Sequence, residues 1–110
     1  MSLDEVTKQT LAGLESGMQD TGVTVNLIHS IARESLTVYG PKSVTDVIDL
    51  SIRFQDHGVV GMDLACNESR YPPDPYIKYF LSTMKSKLRR TLHAGEMGSQ
   101  WWDRLMNITT

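Results

Sequence analysis

Two side chains that can do chemistry stand three residues apart in the sequence His93-Ala94-Gly95-Glu96, which follows a short apolar stretch late in the chain. Histidine is the commonest metal ligand in proteins, and a carboxyl group is a frequent general acid. The pair can therefore supply a metal ligand and a proton donor to one site. Each residue also has an ordinary structural interpretation, His93 as a histidine packed at a strand end and Glu96 as a solvated loop carboxylate.

Two further polar clusters follow apolar stretches upstream. Residues 59–65 read Val-Val-Gly-Met-Asp-Leu-Ala, and the sequence Cys66-Asn67-Glu68 comes directly after them. A shorter cluster, Ala32-Arg33-Glu34, closes an earlier β-branched stretch. The elements between the clusters decide whether they meet.

Helical and strand patterns alternate along the chain. Thr21-Gly22 stops the first helix, Pro41 opens the second, and Asp74-Pro75 opens the third with Asp74 as its N-cap. The second helix closes at Asp56-His57-Gly58. The predicted order is helix 4–20, strand 23–32, helix 41–56, strand 59–65, helix 75–83, strand 89–93 and a final helix from Ser99 to Thr110.

This order contains two consecutive βαβ crossovers, which predict an α/β fold with parallel strands joined right-handedly. Parallel strands of such folds present their carboxyl ends at one edge, where ligands bind. We therefore expect the clusters after the three strands to lie together.

Composition narrows the class of protein. The 110 residues suit one modest domain. A net charge of −2 gives no broad basic field for nucleic acid or for an acidic membrane surface. The single cysteine, Cys66, excludes an intramolecular disulfide. No apolar run approaches a membrane span and no signal peptide is evident, so a cytoplasmic location is expected.

The three strand ends together resemble the middle of the adenosine deaminase family, metal-dependent (β/α)₈ barrels that hydrolyse the exocyclic amine of a purine. The resemblance rests on His93-Ala94-Gly95-Glu96, on residues 59–65 at the right distance before it, and on Met97-Gly98-Ser99 after it. It implies that residues 1–110 form a single segment of a TIM barrel, containing the third, fourth and fifth strands of eight. Three parallel strands with intervening helices are then expected.

The resemblance also implies roles for individual residues. His93 would ligate a catalytic Zn²⁺, which makes a bound water acidic enough to attack near neutral pH. Glu96 would be the general acid that protonates a ring nitrogen as water adds to the amine-bearing carbon. Ala65, Cys66 and Gly95 would line the site of a purine nucleoside or base.

Cys66 departs from the family pattern, which has a glycine in a Leu-Ala-Gly-Asp-Glu sequence where this chain reads Leu64-Ala65-Cys66-Asn67-Glu68. Cys66 still has the backbone N–H that would donate to the purine, but its thiol would narrow the pocket. Cys66 has two further interpretations, a small buried packing residue, which we favour, or a soft metal ligand.

The neighbouring polar residues are expected to support the site. Asp63 and Glu68 are interpreted as supporting groups rather than catalysts. Arg33 is expected to pair with a carboxylate near the site, with a solvated arginine as the alternative. His29 lies inside the first strand, where the family has no ligand, so it is interpreted as a satisfied packing histidine.

The family's other site residues are a His-x-His pair, a later base histidine and an aspartate pair, and none of them lies in this sequence. Because a catalytic zinc site needs about three protein ligands, we expect the isolated chain to be inactive and to hold zinc weakly. Two hypotheses follow: a segment of a zinc-dependent adenosine or adenine deaminase, or a stand-alone partial barrel that serves as an interaction module. Open sheet edges favour a homo-oligomer in the second case.

Overall fold

The computed structural model describes residues 1–96 and shows an α/β fold. The predicted final helix, from Ser99 to Thr110, lies outside the described residues. The elements in chain order are α1 (Leu3–Thr21), β1 (Leu27–Ala32), α2 (Ser35–Val38), α3 (Pro41–Arg53), β2 (Val59–Ala65), a 3₁₀ turn (Asp74–Tyr76), α4 (Ile77–Leu81) and β3 (Arg89–Leu92).

Helix α1 is set by its two ends, and the sequence predicts the stop at Thr21-Gly22. The Ser2 hydroxyl accepts from the Glu5 N–H at 3.2 Å, and the Glu5 carboxylate accepts from the Ser2 N–H at 3.1 Å. This reciprocal capping box satisfies two amides that the helix itself leaves unpaired. At the other end Gly22 has φ 73°, and its N–H donates to the Met18 carbonyl at 2.8 Å. A left-handed residue there suits glycine.

Within residues 1–96 the three strands form one parallel sheet in the order β1-β2-β3, which confirms the predicted strand direction. Strand β1 begins at Leu27 rather than at Val23. The reason lies in its partner, because β2 begins at Val59 and the first cross-strand bond joins the Leu27 N–H to the Gly58 carbonyl. Residues before Leu27 therefore have no β2 residue opposite them.

The core lies between one face of the sheet and the helices. Val44 and Ile48 of α3 pack there in a cluster with Ile31, Met62 and Leu64 of the strands. The opposite face corresponds to the inner face of the barrel that the family resemblance predicts.

The sequence predicts that the apolar residues of that inner face are among Val25, Leu27, Val60, Met62 and Leu92. For Leu27, Met62 and Leu92 this prediction is wrong. Met62 is fully buried on the helix side, and Leu92 lines an apolar cavity there with Tyr76 and Phe80. The alternation of side chains along each strand decides this. Ile28 is the apolar residue exposed on the inner face, at 50%.

Three helix boundaries differ from the prediction: the end of α3, and the start and end of α4. Helix α3 ends at Arg53, because the N–H groups of Gln55 and His57 turn back to the carbonyls of Ile52 and Phe54. Asp74 makes no side-chain cap and lies inside the 3₁₀ turn, with Pro73 in the N-cap position.

Helix α4 stops at Leu81, before the predicted Thr83. The hydroxyls of Ser82 and Thr83 donate to the carbonyls of Tyr79 and Phe80. Such local bonds compete with further helical turns. No helix among residues 1–96 is both long and apolar enough to cross a membrane.

Candidate active site

The carboxyl ends of the three strands meet at one edge of the sheet. The Arg33 N–H donates to the Ala65 carbonyl at 2.9 Å, and the His93 N–H donates to the Leu64 carbonyl at 3.0 Å. Backbone pairing therefore continues just past the ends of β1 and β3. The three polar clusters are brought together as the strand order predicts.

The His93 ring is held by a buried carboxylate. Its Nδ1 atom lies 2.7 Å from Oδ2 of Asp63. Asp63 is 6% exposed, whereas the His93 side chain is 56% exposed. Because an ionised carboxylate only accepts hydrogen bonds, Nδ1 is the donor of this pair, and in the neutral ring Nε2 is the nitrogen that carries the free lone pair. Metal-binding histidines are commonly oriented in this way, with a carboxylate bonded to the ring nitrogen that does not contact the metal.

Asp63 is itself fixed by two hydroxyl groups. The Thr91 hydroxyl donates to Oδ1 of Asp63 at 2.7 Å, and the Ser30 hydroxyl lies 3.4 Å from Oδ2. Ser30, Asp63 and Thr91 are opposite one another in the strand register. Thus β1 and β3 each contribute a donor to the carboxylate that holds His93.

Within residues 1–96 the side chains that could ligate a metal do not form a complete site. In that part of the chain, no group of three His, Cys, Asp or Glu side chains is placed to hold a metal ion. His93 fits a ligand position, because its free nitrogen is accessible and its other nitrogen is fixed. A complete catalytic site would require further ligands from elsewhere.

The segment that follows β3 carries Gly95 and Glu96. Gly95 has φ 71°, a left-handed conformation that favours glycine. Its N–H donates to Oε2 of Glu68 at 3.0 Å. Glu96 is exposed at the end of the described residues. The chain thus turns tightly at Gly95 after β3, and the Gly95 N–H is already hydrogen-bonded to Glu68.

Arg33 and Glu68 are both buried beneath this segment. Arg33 is 2% exposed and Glu68 is 5% exposed. The Arg33 guanidinium donates to the carbonyls of Tyr71 at 3.0 Å and His93 at 2.6 Å, and it lies 4.0 Å from the Glu68 carboxylate. The predicted pairing of Arg33 with a nearby carboxylate is confirmed, and the solvated interpretation is wrong.

Cys66 has an unusual backbone conformation for a residue with a side chain. Its φ is 78°, in the left-handed region that glycine adopts most easily. A glycine at this position would adopt this conformation without the strain that a Cβ atom introduces. The Cys66 side chain is exposed, so the interpretation as a buried packing residue is wrong. Ala65 beside it is half-buried, and its carbonyl is occupied by the Arg33 N–H.

His29 lies away from this edge, on the helix side of β1. Its Nδ1 atom is 2.7 Å from the Ser51 hydroxyl, and its Nε2 atom is 3.5 Å from the Thr7 hydroxyl. Burial lowers the pKa of the His29 ring. His29 is a satisfied packing histidine, as its position inside the strand predicts.

Sequence reasoning missed Ser30, Thr91 and Tyr71 as members of the site. The signal for the first two was present, because Thr91 precedes His93 by two residues and strand side chains alternate. Tyr71 contributes only a backbone carbonyl, which no side-chain pattern reveals.

A family model described as "Adenosine deaminase" matches residues 1–104. The chain belongs to the adenosine deaminase family. It is 33% identical over 98 residues to an adenosine deaminase of Clostridium kluyveri, which covers 89% of this chain and 27% of that protein. It is 34% identical over 97 residues to one of Mycobacterium leprae, covering 87% of this chain and 26% of the relative.

A third adenosine deaminase, of Enterococcus faecalis, is 32% identical over 98 residues, covering 89% of this chain and 28% of that protein. The chain thus spans about a quarter of the length of the curated relatives it matches. The family resemblance seen in the three strand ends is confirmed.

Proposed function

We propose that this chain is a segment of a zinc-dependent deaminase that hydrolyses the 6-amino group of adenosine or adenine. The observation that carries the proposal is the His93 ring, which is held at Nδ1 by buried Asp63 and open at Nε2, at the strand edge of a chain in the adenosine deaminase family. Residues 1–110 would then correspond to the third, fourth and fifth strands of the barrel.

His93 would hold the metal through Nε2. A zinc ion there would lower the pKa of a bound water, so that hydroxide is available near neutral pH. The sequence has no His-x-His pair and no adjacent aspartates, so the other ligands would come from outside these 110 residues. The chain alone would therefore bind zinc weakly and would not turn over substrate.

Asp63 would keep His93 competent as a ligand. Its carboxylate holds the proton on Nδ1 and fixes the plane of the ring, while the hydroxyls of Thr91 and Ser30 fix the carboxylate. The burial of Asp63 excludes water that would compete for these bonds.

Glu96 would act as the general acid of the reaction. The water oxygen would add to the amine-bearing carbon of the purine while the Glu96 carboxyl gives its proton to a ring nitrogen. Of the two protons of the water, one would pass to the amine, which leaves as ammonia, and one would restore the Glu96 carboxyl as the carbon–oxygen bond becomes a carbonyl. The purine nucleoside or base would lie against Ala65, Cys66 and Gly95. Because the Gly95 N–H is bound to Glu68, Gly95 would meet the purine with its uncrowded Cα rather than with its amide.

A cytoplasmic location is also part of the proposal, with neither nucleic acid nor a membrane as a partner. The single cysteine suits a reducing cytoplasm, and the net charge of −2 gives no basic field for nucleic acid or an acidic membrane.

A stand-alone interaction module is the second candidate function. It is favoured by Ile28, which is half exposed on the inner face, and by β3, which has no strand on its outer side within residues 1–96. Such edges and apolar faces promote association with other chains. A module of this kind would need neither His93 nor Glu96.

A chimaera tests the two candidates. The segment of the Clostridium kluyveri relative that matches this chain is replaced by this chain, and the product is incubated with adenosine, adenine and adenosine monophosphate. Formation of inosine, hypoxanthine or inosine monophosphate supports the deaminase segment and shows which of the three compounds the chimaera accepts. A folded chimaera that binds zinc and converts none of the three contradicts it.

A further inference from the structure

Arg33 and Glu68 together form a charged bridge under the segment that leaves β3. Arg33 follows β1 and Glu68 lies in the loop after β2, so the two residues come from neighbouring strand ends. Their charged groups are 4.0 Å apart, and both side chains are almost completely buried. We call this pair the Arg33–Glu68 bridge.

The bridge binds the backbone of residues 93–96, which we call the catalytic segment, at two points. The Arg33 guanidinium donates to the His93 carbonyl at 2.6 Å, and the Glu68 carboxylate accepts from the Gly95 N–H at 3.0 Å. A positive donor thus holds one carbonyl, and a negative acceptor holds an amide two residues later. Hydrogen bonds to ionised groups are about twice as strong as neutral ones.

The bridge is itself anchored on the rest of the fold. A second Arg33 nitrogen donates to the Tyr71 carbonyl in the loop after β2. The Tyr76 hydroxyl donates to the Arg33 carbonyl at 2.8 Å and accepts from the Leu36 N–H at 3.1 Å. The bridge therefore ties the His93 segment to fixed parts of the chain.

Stability alone is a weak reason to place two charges there. Burying an ion pair carries a desolvation cost that its attraction often fails to exceed, and a well-packed apolar pair of similar volume serves stability as well. An apolar pair offers no partner to the His93 carbonyl or the Gly95 amide. Apart from the Arg33 bond to the Tyr71 carbonyl, the hydrogen bonds described for the pair are directed at the His93 carbonyl and the Gly95 amide.

We propose that Arg33 and Glu68 are positioning residues, which fix the backbone between His93 and Gly95 and thereby set where the His93 ring and the Glu96 carboxyl stand. The part of this inference that concerns the reaction rests on the proposed deaminase function. The part that concerns the segment's backbone does not.

Amide hydrogen exchange in the 110-residue chain tests the structural part. Glu68→Ala should speed exchange of the Gly95 amide by roughly 10- to 100-fold, the equivalent of losing one charged hydrogen bond. Exchange of β1 amides, corrected for the change in global stability, should stay the same. Glu68→Gln retains an acceptor of the same shape, so it should restore most of the protection.

Glu34→Gln is the matched control. Glu34 is the carboxylate next to Arg33 in sequence, its Oε2 atom is buried without a hydrogen-bond partner among residues 1–96, and the hydrogen bonds described for His93 and Gly95 go to other residues. It should leave exchange of the Gly95 amide unchanged. Equal exchange at Gly95 in the parent, Glu68→Ala and Glu34→Gln chains would overturn the inference. If Glu68→Ala does not fold, Arg33→Lys decides instead: a lysine cannot reproduce the two guanidinium bonds to the Tyr71 and His93 carbonyls, so exchange of the Gly95 amide should speed up, and exchange equal to that of the parent would overturn the inference.

Kinetics of the chimaera test the catalytic part. In the chimaera, Glu68→Ala should lower kcat by at least about 10-fold with zinc content and KM for adenosine nearly unchanged, as expected when reacting groups are misplaced. A variant with unchanged kcat would overturn the positioning role. An unsubstituted chimaera without activity would instead overturn the proposed function, and the exchange result would stand independently.

Discussion

Replacing Cys66 by glycine should stabilise the folded chain. Among residues 1–96, Cys66 is the one non-glycine residue with positive φ, at 78°. The left-handed conformation costs an L-residue about 1–2 kcal/mol, and glycine avoids that cost. Glycine also has more freedom in the unfolded chain, which offsets about 0.5–1 kcal/mol of the gain. The thiol is exposed, so its removal sacrifices little burial.

The net effect should be a gain of about 0.5–1 kcal/mol in the free energy of unfolding. For a chain of this size, 1 kcal/mol corresponds to roughly 4 °C, so Tm should rise by about 2–4 °C. Urea denaturation followed by circular dichroism gives the free energy, and a thermal scan gives Tm. A loss of stability is the ordinary result of inserting glycine, so the sign of the change is diagnostic.

Two controls separate backbone strain from other causes. Cys66→Ala removes the thiol and keeps the Cβ atom, so it should change stability by less than about 0.5 kcal/mol. Ala12→Gly places glycine at an exposed position inside α1 and should cost about 1 kcal/mol. If Cys66→Gly destabilised the chain as much as Ala12→Gly, the reasoning would be refuted.

Three further outcomes are expected. Light scattering coupled to size-exclusion chromatography over a dilution series should show an oligomer that dissociates on dilution. The reason is that the inner face exposes Ile28 and that β3 has a free edge within residues 1–96. A compact monomer at every concentration would contradict this. Equilibrium dialysis should find zinc weakly held by the 110-residue chain and no inosine formed, whereas tight stoichiometric zinc with turnover would refute the partial-site account. Burial lowers the pKa of His29 in the folded chain below its ordinary 6.5, so as pH falls the unfolded chain takes up the proton first. The free energy of unfolding should therefore fall as pH drops below 6.5. Urea titrations should show a weaker pH dependence for His29→Gln.

Features encoded locally were predictable from the sequence. The bounds of β2, Val59 to Ala65, match the prediction because an apolar run begins directly after Gly58. The stop of α1 at Gly22 likewise depends on one residue and its neighbours. The gathering of polar clusters at one edge followed from strand order alone.

Features decided by partners distant in sequence were not predictable in detail. The start of β1 depends on where β2 begins, and the four residues of α2, Ser35–Val38, are too few to show a helical period. The contact of Arg33 with the His93 carbonyl joins residues 60 apart in sequence. The exposure of Cys66 also depends on the path of the loop after β2. These properties arise from tertiary packing rather than from local propensity.

The separate roles assigned to His93 and Glu96 are tested most directly by measuring zinc content and inosine formation on the same chimaera samples. His93→Ala should lose zinc and activity together. Glu96→Gln should keep its zinc while turnover falls by a factor on the order of 10² or more, the usual effect of losing a general acid. A Glu96→Gln chimaera that forms inosine as fast as the unsubstituted one, or a His93→Ala chimaera that keeps stoichiometric zinc, would contradict the account.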